Sequence, residues 1–395
     1  MALNGQPAPT ATRTFPDGAV QLRRIDAWAL RVAIARPVET SFGIMRDRPA
    51  VFVRIEDTDG NFGFGEIWCN FPGVGAEHRV RMAIDELAPL LAGKAFDKPA
   101  DAFTMMWDRT RVRVLQTGEP GPYSQAIAGI DIALWDLAAR QAGLPLRRFL
   151  SDQAVDAVPA YASGIHIAIA ADAVPEARAE GFRNFKVKVG FETQADLAGV
   201  AALRQSMATD ERLFSDANQA WDLDGALAFA KGATGLGLEW LEEPLRADAP
   251  TEHWVRLAKE GGVPLAAGEN FTCADDFDAA LTAGALSYVQ PDMAKWGGVT
   301  GCLPVAQAIL DAGRTYCPHY LGGGLGLVAS ANLLAAVGGP GLLEVDANPN
   351  PLRSEVPGLT IKDGLCHLSS NPGLGLEALP ESLTSKVTLH QSWTA

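Results

Sequence analysis

Long apolar runs are missing from this 395-residue sequence. No stretch of about 18 uninterrupted apolar residues occurs, the length a helix needs to cross a bilayer, so no membrane partner is expected. Cysteine is scarce as well: Cys69, Cys273, Cys302, Cys317 and Cys366 are odd in number, far apart and never in a C-x-x-C pair. That excludes a disulfide framework and a thiolate zinc site, and reads as a reduced, cytoplasmic protein. Positive charge is in deficit, with 33 Lys and Arg against 47 Asp and Glu and a formal net charge of -14. Such a surface repels phosphate backbones and anionic lipid, so nucleic acid is not an expected partner. Residues 1–20 lack the apolar stretch of a signal peptide and read as a loose tail.

What remains is globular: 48% hydrophobic and 20% charged residues, in a chain long enough for two or three structural units. From about Gln21 to Trp68 the pattern alternates as strands do, with a hairpin expected around Asp59-Gly60. Helical spacing follows in YSQAIAGIDIALWDLAARQAG, where Ile127, Ile130, Leu134 and Leu137 share a face, Ser124 is the expected cap, and Gly143 with Pro145 ends the helix. This first part, 21–155, reads as a small α+β unit.

From about Val158 short apolar strand-like runs alternate with Ala/Leu-rich helical stretches, which is how a parallel α/β sheet is written. Eight such runs can be counted: VPAYASG, NFKVKVG, RLFSDANQ, LEWLEEP, VPLAAGEN, LSYVQPD, RTYCPHY and GLLEVDA. From the second onward each ends on an ionisable residue, in order Lys188, Asp216, Glu242, Glu269, Asp292, His319 and Glu344, spaced 23 to 28 residues apart. That interval fits one strand plus one helix. The fold class expected is therefore α/β, a (β/α)8 barrel over 156–346, whose strand ends converge on one mouth. After Asp346 a Pro/Gly-rich stretch leads to TIKDGLCHLS with a turn at Asp363-Gly364, and the segment 347–395 is expected to return to the first unit.

Asp216, Glu242 and Glu269 end three successive strands, and three carboxylates so close would repel unless a hard divalent cation such as Mg²⁺ sat among them. Lys186 and Lys188 are two apart on one strand, so both project into the barrel. Two ammonium groups side by side lower each other's pKa while the carboxylates raise it, a balance the sequence leaves open. Asp292 and His319 end neighbouring strands, where a carboxylate can hold one imidazole nitrogen and leave the other free as a base or acid. One motif points elsewhere: Gly324, Gly326 and Ala329 satisfy G-x-G-x-x-A between a strand and a helix, with Glu344 twenty residues on. Its place in the seventh repeat of a barrel, where glycines serve close backbone approach, outweighs a dinucleotide role.

K-x-K on the second barrel strand, D-x-N on the third, E-E-P on the fourth, G-E-N on the fifth, P-D-x-x-K-x-G-G on the sixth and P-H on the seventh together resemble the enolase superfamily, most closely its mandelate racemase branch. The likeness spans nearly the whole chain. It implies an α+β capping domain over a barrel, a Mg²⁺ cofactor, and removal of the proton α to a carboxylate of a small-molecule substrate to give an enediolate. Carried over, Asp216, Glu242 and Glu269 are the metal ligands and Lys188 the base on one face. Asp292 and His319 form the dyad on the other, while Lys186 and Glu344 contact the substrate carboxylate or its enolate. The muconate-lactonizing and dipeptide-epimerase branches place a second lysine where this chain has Asp292; here the lysine of that strand, Lys295, lies three residues later, which argues against those branches.

The resemblance further implies capping loops over the mouth, around Thr40 to Arg48 and Trp68 to Gly75, with Phe42, Ile44, Trp68 and Phe71 as apolar members. Bases on two faces allow dehydration of a hydroxy acid, with His319 as general acid, or racemisation and epimerisation. The branch contains many sugar-acid dehydratases, which favours the first. A homo-oligomer is the expected assembly.

Overall fold

The structure, a computed structural model, describes residues 13–40 and 43–395. Of the expected tail, residues 1–12 lie outside the described residues, but Phe15 is not loose: its ring is buried and its amide donates to Asp97 O at 2.9 Å. Strand β1 (Val20–Thr40) pairs antiparallel with β2 (Gly43–Asp57), which turns into β3 (Phe62–Ile67). The turn forms at Asp59-Gly60 because the Asp57 carboxylate collects the amides of Asp59 and Asn61 at 3.0 and 2.8 Å.

Helix α1 (Pro99–Thr117) precedes α2 (Pro120–Gln141), which lies on this sheet. Contact is direct backbone on backbone: a Cβ on Gly65 would stand 2.1 Å from Gly129 O. Sequence reading expected one apolar face and a Ser124 cap, and both need correction. The helix starts four residues earlier, Ser124 Oγ donates back to Pro120 O at 2.8 Å, and residues Tyr123 to Ala139 are buried on every side, because α2 is wedged between the sheet and a barrel helix.

All eight barrel strands form, as β4 (Ala157–His166), β5 (Asn184–Lys188), β6 (Arg212–Asp216), β7 (Leu238–Glu242), β8 (Leu265–Ala267), β9 (Tyr288–Val289), β10 (Thr315–Tyr316) and β11 (Leu343–Asp346). They pair in parallel from β4 through β10, and β11 closes on β4. Between β10 and β11 the Leu342 amide reaches the Cys317 sulfur at 3.4 Å. Among the described residues seven helices alternate with these strands: α3 (Ala170–Ala179), α4 (Thr193–Ser206), α5 (Leu223–Ala233), α6 (Thr251–Glu260), α7 (Ala274–Ala283), α8 (Gly298–Asp311) and α9 (Gly324–Val337).

The C-terminal segment divides its allegiance. A hairpin of β12 (Leu359–Lys362) and β13 (Leu365–Leu368) turns at Asp363-Gly364, both at positive φ, but it joins the barrel, with β13 antiparallel to the start of β4. Only β14 (Val387–Thr394) adds to the capping sheet, along β1. No helix of the described residues is long and apolar enough to cross a membrane.

Candidate active site

Strand alternation builds the barrel interior in layers. Tyr161, Phe214, Trp240, Ala266, Cys317 and Leu342 form a buried floor, with the Phe214 and Trp240 rings stacked at 4.0 Å. Two residues further along their strands come Ser163, Asp216, Glu242, His319 and Glu344, all buried and directed into the same space. Glu269 breaks the alternation. Gly268, at φ +141°, bends the chain after β8, and the carboxylate that reaches the interior is the next one.

Lys186 stands above the floor, its Nζ 5.4 Å from the Tyr161 ring centre. It meets Glu242 at 2.5 Å, Glu344 at 2.7 Å and Asp216 at 3.5 Å. Lys188 Nζ donates to Asp216 at 2.5 Å. Across the mouth His319 Nδ1 lies 2.8 Å from Asp292 and its Nε2 lies 3.0 Å from Glu269 and 3.6 Å from Glu344. Lys295 completes the ring, 3.1 Å from Glu269 and 3.1 Å from Asn270 Oδ1.

The seven strand-end residues singled out by spacing therefore share one chamber, with Lys186 below them. The three carboxylates expected to hold a metal do not touch one another, however. Among the described residues no three acidic, histidine or cysteine side chains converge on a point. Each is turned to a cation: Asp216 to Lys188, Glu242 to Lys186, Glu269 to His319 and Lys295.

Charge decides what the chamber can accept. Burial alone would strip the proton from Lys186, but Glu242 and Glu344 hold it far above the ordinary lysine value. Lys188 is likewise raised, burial being outweighed by Asp216, so in this arrangement the carboxylates win the balance that sequence left open. Burial opposes protonation of His319 too, yet Glu269, Glu344 and the Asp292 hydrogen bond keep it charged well above the usual imidazole range. Glu242 goes the other way: burial and its neighbours Asp216 and Glu344 push its carboxyl up to about 8, despite Lys186. Burial, with Glu269 and Asp216 beside it, also raises Glu243 well above the ordinary carboxyl value, and its Oε2 has no hydrogen-bond partner among the described residues.

Six carboxyl groups, Asp216, Glu242, Glu243, Glu269, Asp292 and Glu344, thus face four cations, Lys186, Lys188, Lys295 and His319, and the excess of two is met here by protons held on Glu242 and Glu243. A hard divalent cation matches that excess in charge and in donor type, since every expected ligand atom is a carboxylate oxygen. The residues fit Mg²⁺.

Above this lies a cavity of about 480 Å³, lined from the barrel by Lys188, Glu269, Lys295 and His319 and from the capping unit by Met45, Arg48, Trp68 and Phe71. Of the expected lid residues, Trp68 and Phe71 line it, with Lys295 Nζ 4.8 Å from the Trp68 ring centre. Ile44 points to solvent, and Phe42 lies outside the described residues. Sequence reading passed over several groups that shape the chamber. Ser163 Oγ donates to Glu344 at 2.5 Å, and Gln290 Nε2 to Glu242 at 2.7 Å. Gln290 was accessible by parity, two residues before Asp292, whereas Ser163 lies inside β4, in a run with no charged residue to mark it.

The G-x-G-x-x-A motif presents no open anion site. The N-terminus of α9 is filled by the Glu66 carboxylate from β3, which accepts the Gly323 and Gly326 amides at 2.5 and 2.8 Å. A Cβ on Gly326 would stand 2.3 Å from the Tyr320 ring, so these glycines serve packing.

Comparison with known proteins agrees with this geometry. Residues 24–151 match the mandelate racemase / muconate lactonizing enzyme N-terminal domain and residues 168–382 the enolase C-terminal domain-like family. A mandelate racemase/muconate lactonizing enzyme from Bordetella bronchiseptica RB50 is 47% identical with a TM-score of 0.87, covering 93% of this chain and 99% of that one. The L-talarate dehydratase of Polaromonas sp. JS666, solved with Mg and L-glucarate, is 26% identical with a TM-score of 0.81, over 95% of this chain and 99% of that one. The 3,6-anhydro-alpha-L-galactonate cycloisomerase of Streptomyces coelicolor is 34% identical over 276 residues, 69% of this chain and 74% of that protein. A capping domain over a (β/α)8 barrel, and family matches along most of its length, make this chain an enzyme of the enolase superfamily, in its mandelate racemase/muconate lactonizing enzyme family.

Proposed function

We propose that the protein removes the proton α to the carboxylate of a hydroxylated sugar acid in a Mg²⁺-dependent reaction and expels the β-hydroxyl, giving a 2-keto acid. The observation that carries this reading is the pairing of Lys188 with the Asp292–His319 dyad on non-adjacent strands of one cavity, with the surplus carboxylates between them. Asp216, Glu242 and Glu269 would hold the metal. When bound, Mg²⁺ supplies positive charge to the carboxylate whose α-carbon is deprotonated, where two negative charges would otherwise build up.

The chain's own groups carry the proton chemistry. Lys188 loses the charge that holds its proton once Asp216 is neutralised, and its free amine then accepts the α-proton. The C–H electron pair moves toward the carboxylate as an enediolate, stabilised by Lys186 beneath it. Collapse of the enediolate breaks the bond to the β-hydroxyl, which leaves as water with the proton of His319 Nε2. Asp292 on Nδ1 orients the ring and steadies its charge in the meantime. The resulting enol tautomerises to the 2-keto acid. The aromatic floor and the Trp68 and Phe71 lid keep bulk water from competing for the carbanion. Lyases among the relatives, including the L-talarate dehydratase, support dehydration.

Racemisation or epimerisation is the second reading, favoured by the presence of a proton-transfer group on each side of the cavity. A screen of hydroxy and sugar acids in D₂O with Mg²⁺ separates the two. Deuterium at the α-carbon together with 2-keto acid supports dehydration; exchange with inversion and no keto acid supports racemisation. Absence of both α-exchange and 2-keto acid from every acid, with metal present and protein folded, overturns both.

A further inference from the structure

On the capping side of the cavity, strand β2 delivers Arg48. The residue is 4% exposed and lines the same cavity as Lys188 and His319. The guanidinium donates from Nη2 to Asp346 and makes a long contact from Nη1 to the Met45 sulfur at 3.4 Å, while Nε has no acceptor among the described residues. Asp346 cannot neutralise it fully. The same carboxylate faces Arg353 at 3.7 Å, and its other oxygen is taken by the Asn348 amide and side chain at 2.9 and 2.8 Å. Two guanidinium groups therefore share one carboxylate, and Arg353 Nη1 also lacks a hydrogen-bond partner. Glu180 acts on Arg353 from solvent, where water and salt screen it. Among the described residues one positive charge remains at the cavity wall, in a setting where an unmet charged donor is costly.

Its height above the reacting end is set by the strand. Asp346 lies two residues past Glu344, which contacts Lys186 and His319, so the rise along β11 puts it roughly 6–7 Å further out. That rise, continued by the Asp346–Arg48 contact, leaves room for an extended six-carbon chain between the reacting end and the guanidinium. We propose that Arg48 receives a second carboxylate, at the far end of the substrate, so that the acid used is a dicarboxylic sugar acid and not its monocarboxylic counterpart. Asp346 and Arg353 position Arg48 and tune its charge; neither touches the reacting carbons. The inference rests on the catalytic reading above and adds the substrate class to it.

The test compares stereochemically matched pairs of aldaric and aldonic acids, using the full chain with Mg²⁺. The wild type is expected to favour the diacid by at least about tenfold in kcat/KM, mainly through KM. Arg48→Met is expected to collapse that ratio to about one, and Arg48→Lys to restore part of it, because an ammonium keeps the charge but not the planar fork. A second measurement needs no variant: in Mg²⁺, hexanedioate should bind the wild type at least about tenfold tighter than hexanoate, read by calorimetry. Proton exchange from hydroxy acids with no diacid preference, or a preference untouched by Arg48→Met in folded protein, overturns the role of Arg48 and leaves the catalytic reading standing. Equal binding of hexanedioate and hexanoate overturns it as well. If no acid exchanges its α-proton or yields a 2-keto acid, the catalytic reading falls and this inference with it.

Discussion

Two regions of the molecule draw carboxylates in from solvent and use them in opposite ways. At the barrel mouth Asp216, Glu242, Glu269 and Glu344 are answered by side-chain cations. At the seam between capping unit and barrel the answer comes from backbone amides. Glu66 sits on the N-terminus of α9, and Asp131 of α2 accepts the Thr300 amide at 3.0 Å and its hydroxyl at 2.6 Å, at the N-terminus of α8. Amides hold a carboxylate still and cannot exchange a proton with it, so the seam is mechanical. Ammonium and imidazolium groups can give up their protons, so the mouth is chemical. Burial alone does not mark a functional carboxylate; the identity of its partner does.

The sharpest way to break that contrast is to remove the mouth's proton carriers. Lys188→Ala and His319→Asn should each lower α-proton exchange or turnover by about 10²- to 10⁴-fold, the range typical of a positioned acid or base. Glu66→Gln should leave the same rates within about threefold. NMR in D₂O reads all three, and equal losses would erase the distinction between the regions. Next in size is the metal. Glu242→Gln keeps the shape and removes a charge, and should raise the Mg²⁺ concentration for half-maximal exchange at least tenfold. An unchanged Mg²⁺ requirement would remove Glu242 from the ligand set.

The mouth was largely legible in sequence and the seam was not, for one physical reason. A barrel converts a repeat of 23 to 28 residues into convergence at one rim, so Lys188 through Glu344 could be gathered by counting. The seam is built from contacts with no period: Glu66 reaches Gly323 across 257 residues and Asp131 reaches Thr300 across 169. Arg48 and Asp346, 298 residues apart, belong to the same class. Helix α2 misled for a related reason: its apolar residues were assigned to one face because sequence does not reveal that a second surface covers the other. The β12–β13 hairpin was recognised by its Asp-Gly turn, yet a turn says nothing about which sheet the hairpin will join.

A pH series sharpens the comparison further. Burial raises Glu66 and Asp131 to about 7 each, against the ordinary values of 4.5 and 3.8. The folded chain therefore holds more protons than the unfolded one between roughly pH 4 and pH 7, and stability falls as pH rises through that window. Glu66→Gln/Asp131→Asn removes both sites. From pH 5 to pH 8 the wild type should lose more of its melting temperature than the double variant, by of order 5 °C. Parallel melting curves would mean that the amides, not burial, dominate at the seam.

The smallest effects come from two hydroxyls that do the same job in the two regions. Thr300 Oγ1 donates to Asp131 and accepts from Trp135 Nε1 at 2.9 Å. Thr300→Ala orphans a buried indole N–H and should cost about 1–3 kcal/mol of stability, with exchange rates unchanged. Ser163 Oγ donates to Glu344, but that carboxylate keeps Lys186 and the Tyr320 amide at 3.1 Å. Ser163→Ala should therefore cost less than about 1 kcal/mol, while turnover drops a few-fold because Glu344 is freer to leave Lys186. Melting curves and exchange rates on both variants test the pair together. A stability loss at Ser163 matching that at Thr300, with turnover intact, would mean that the mouth is held together as the seam is, by structure alone.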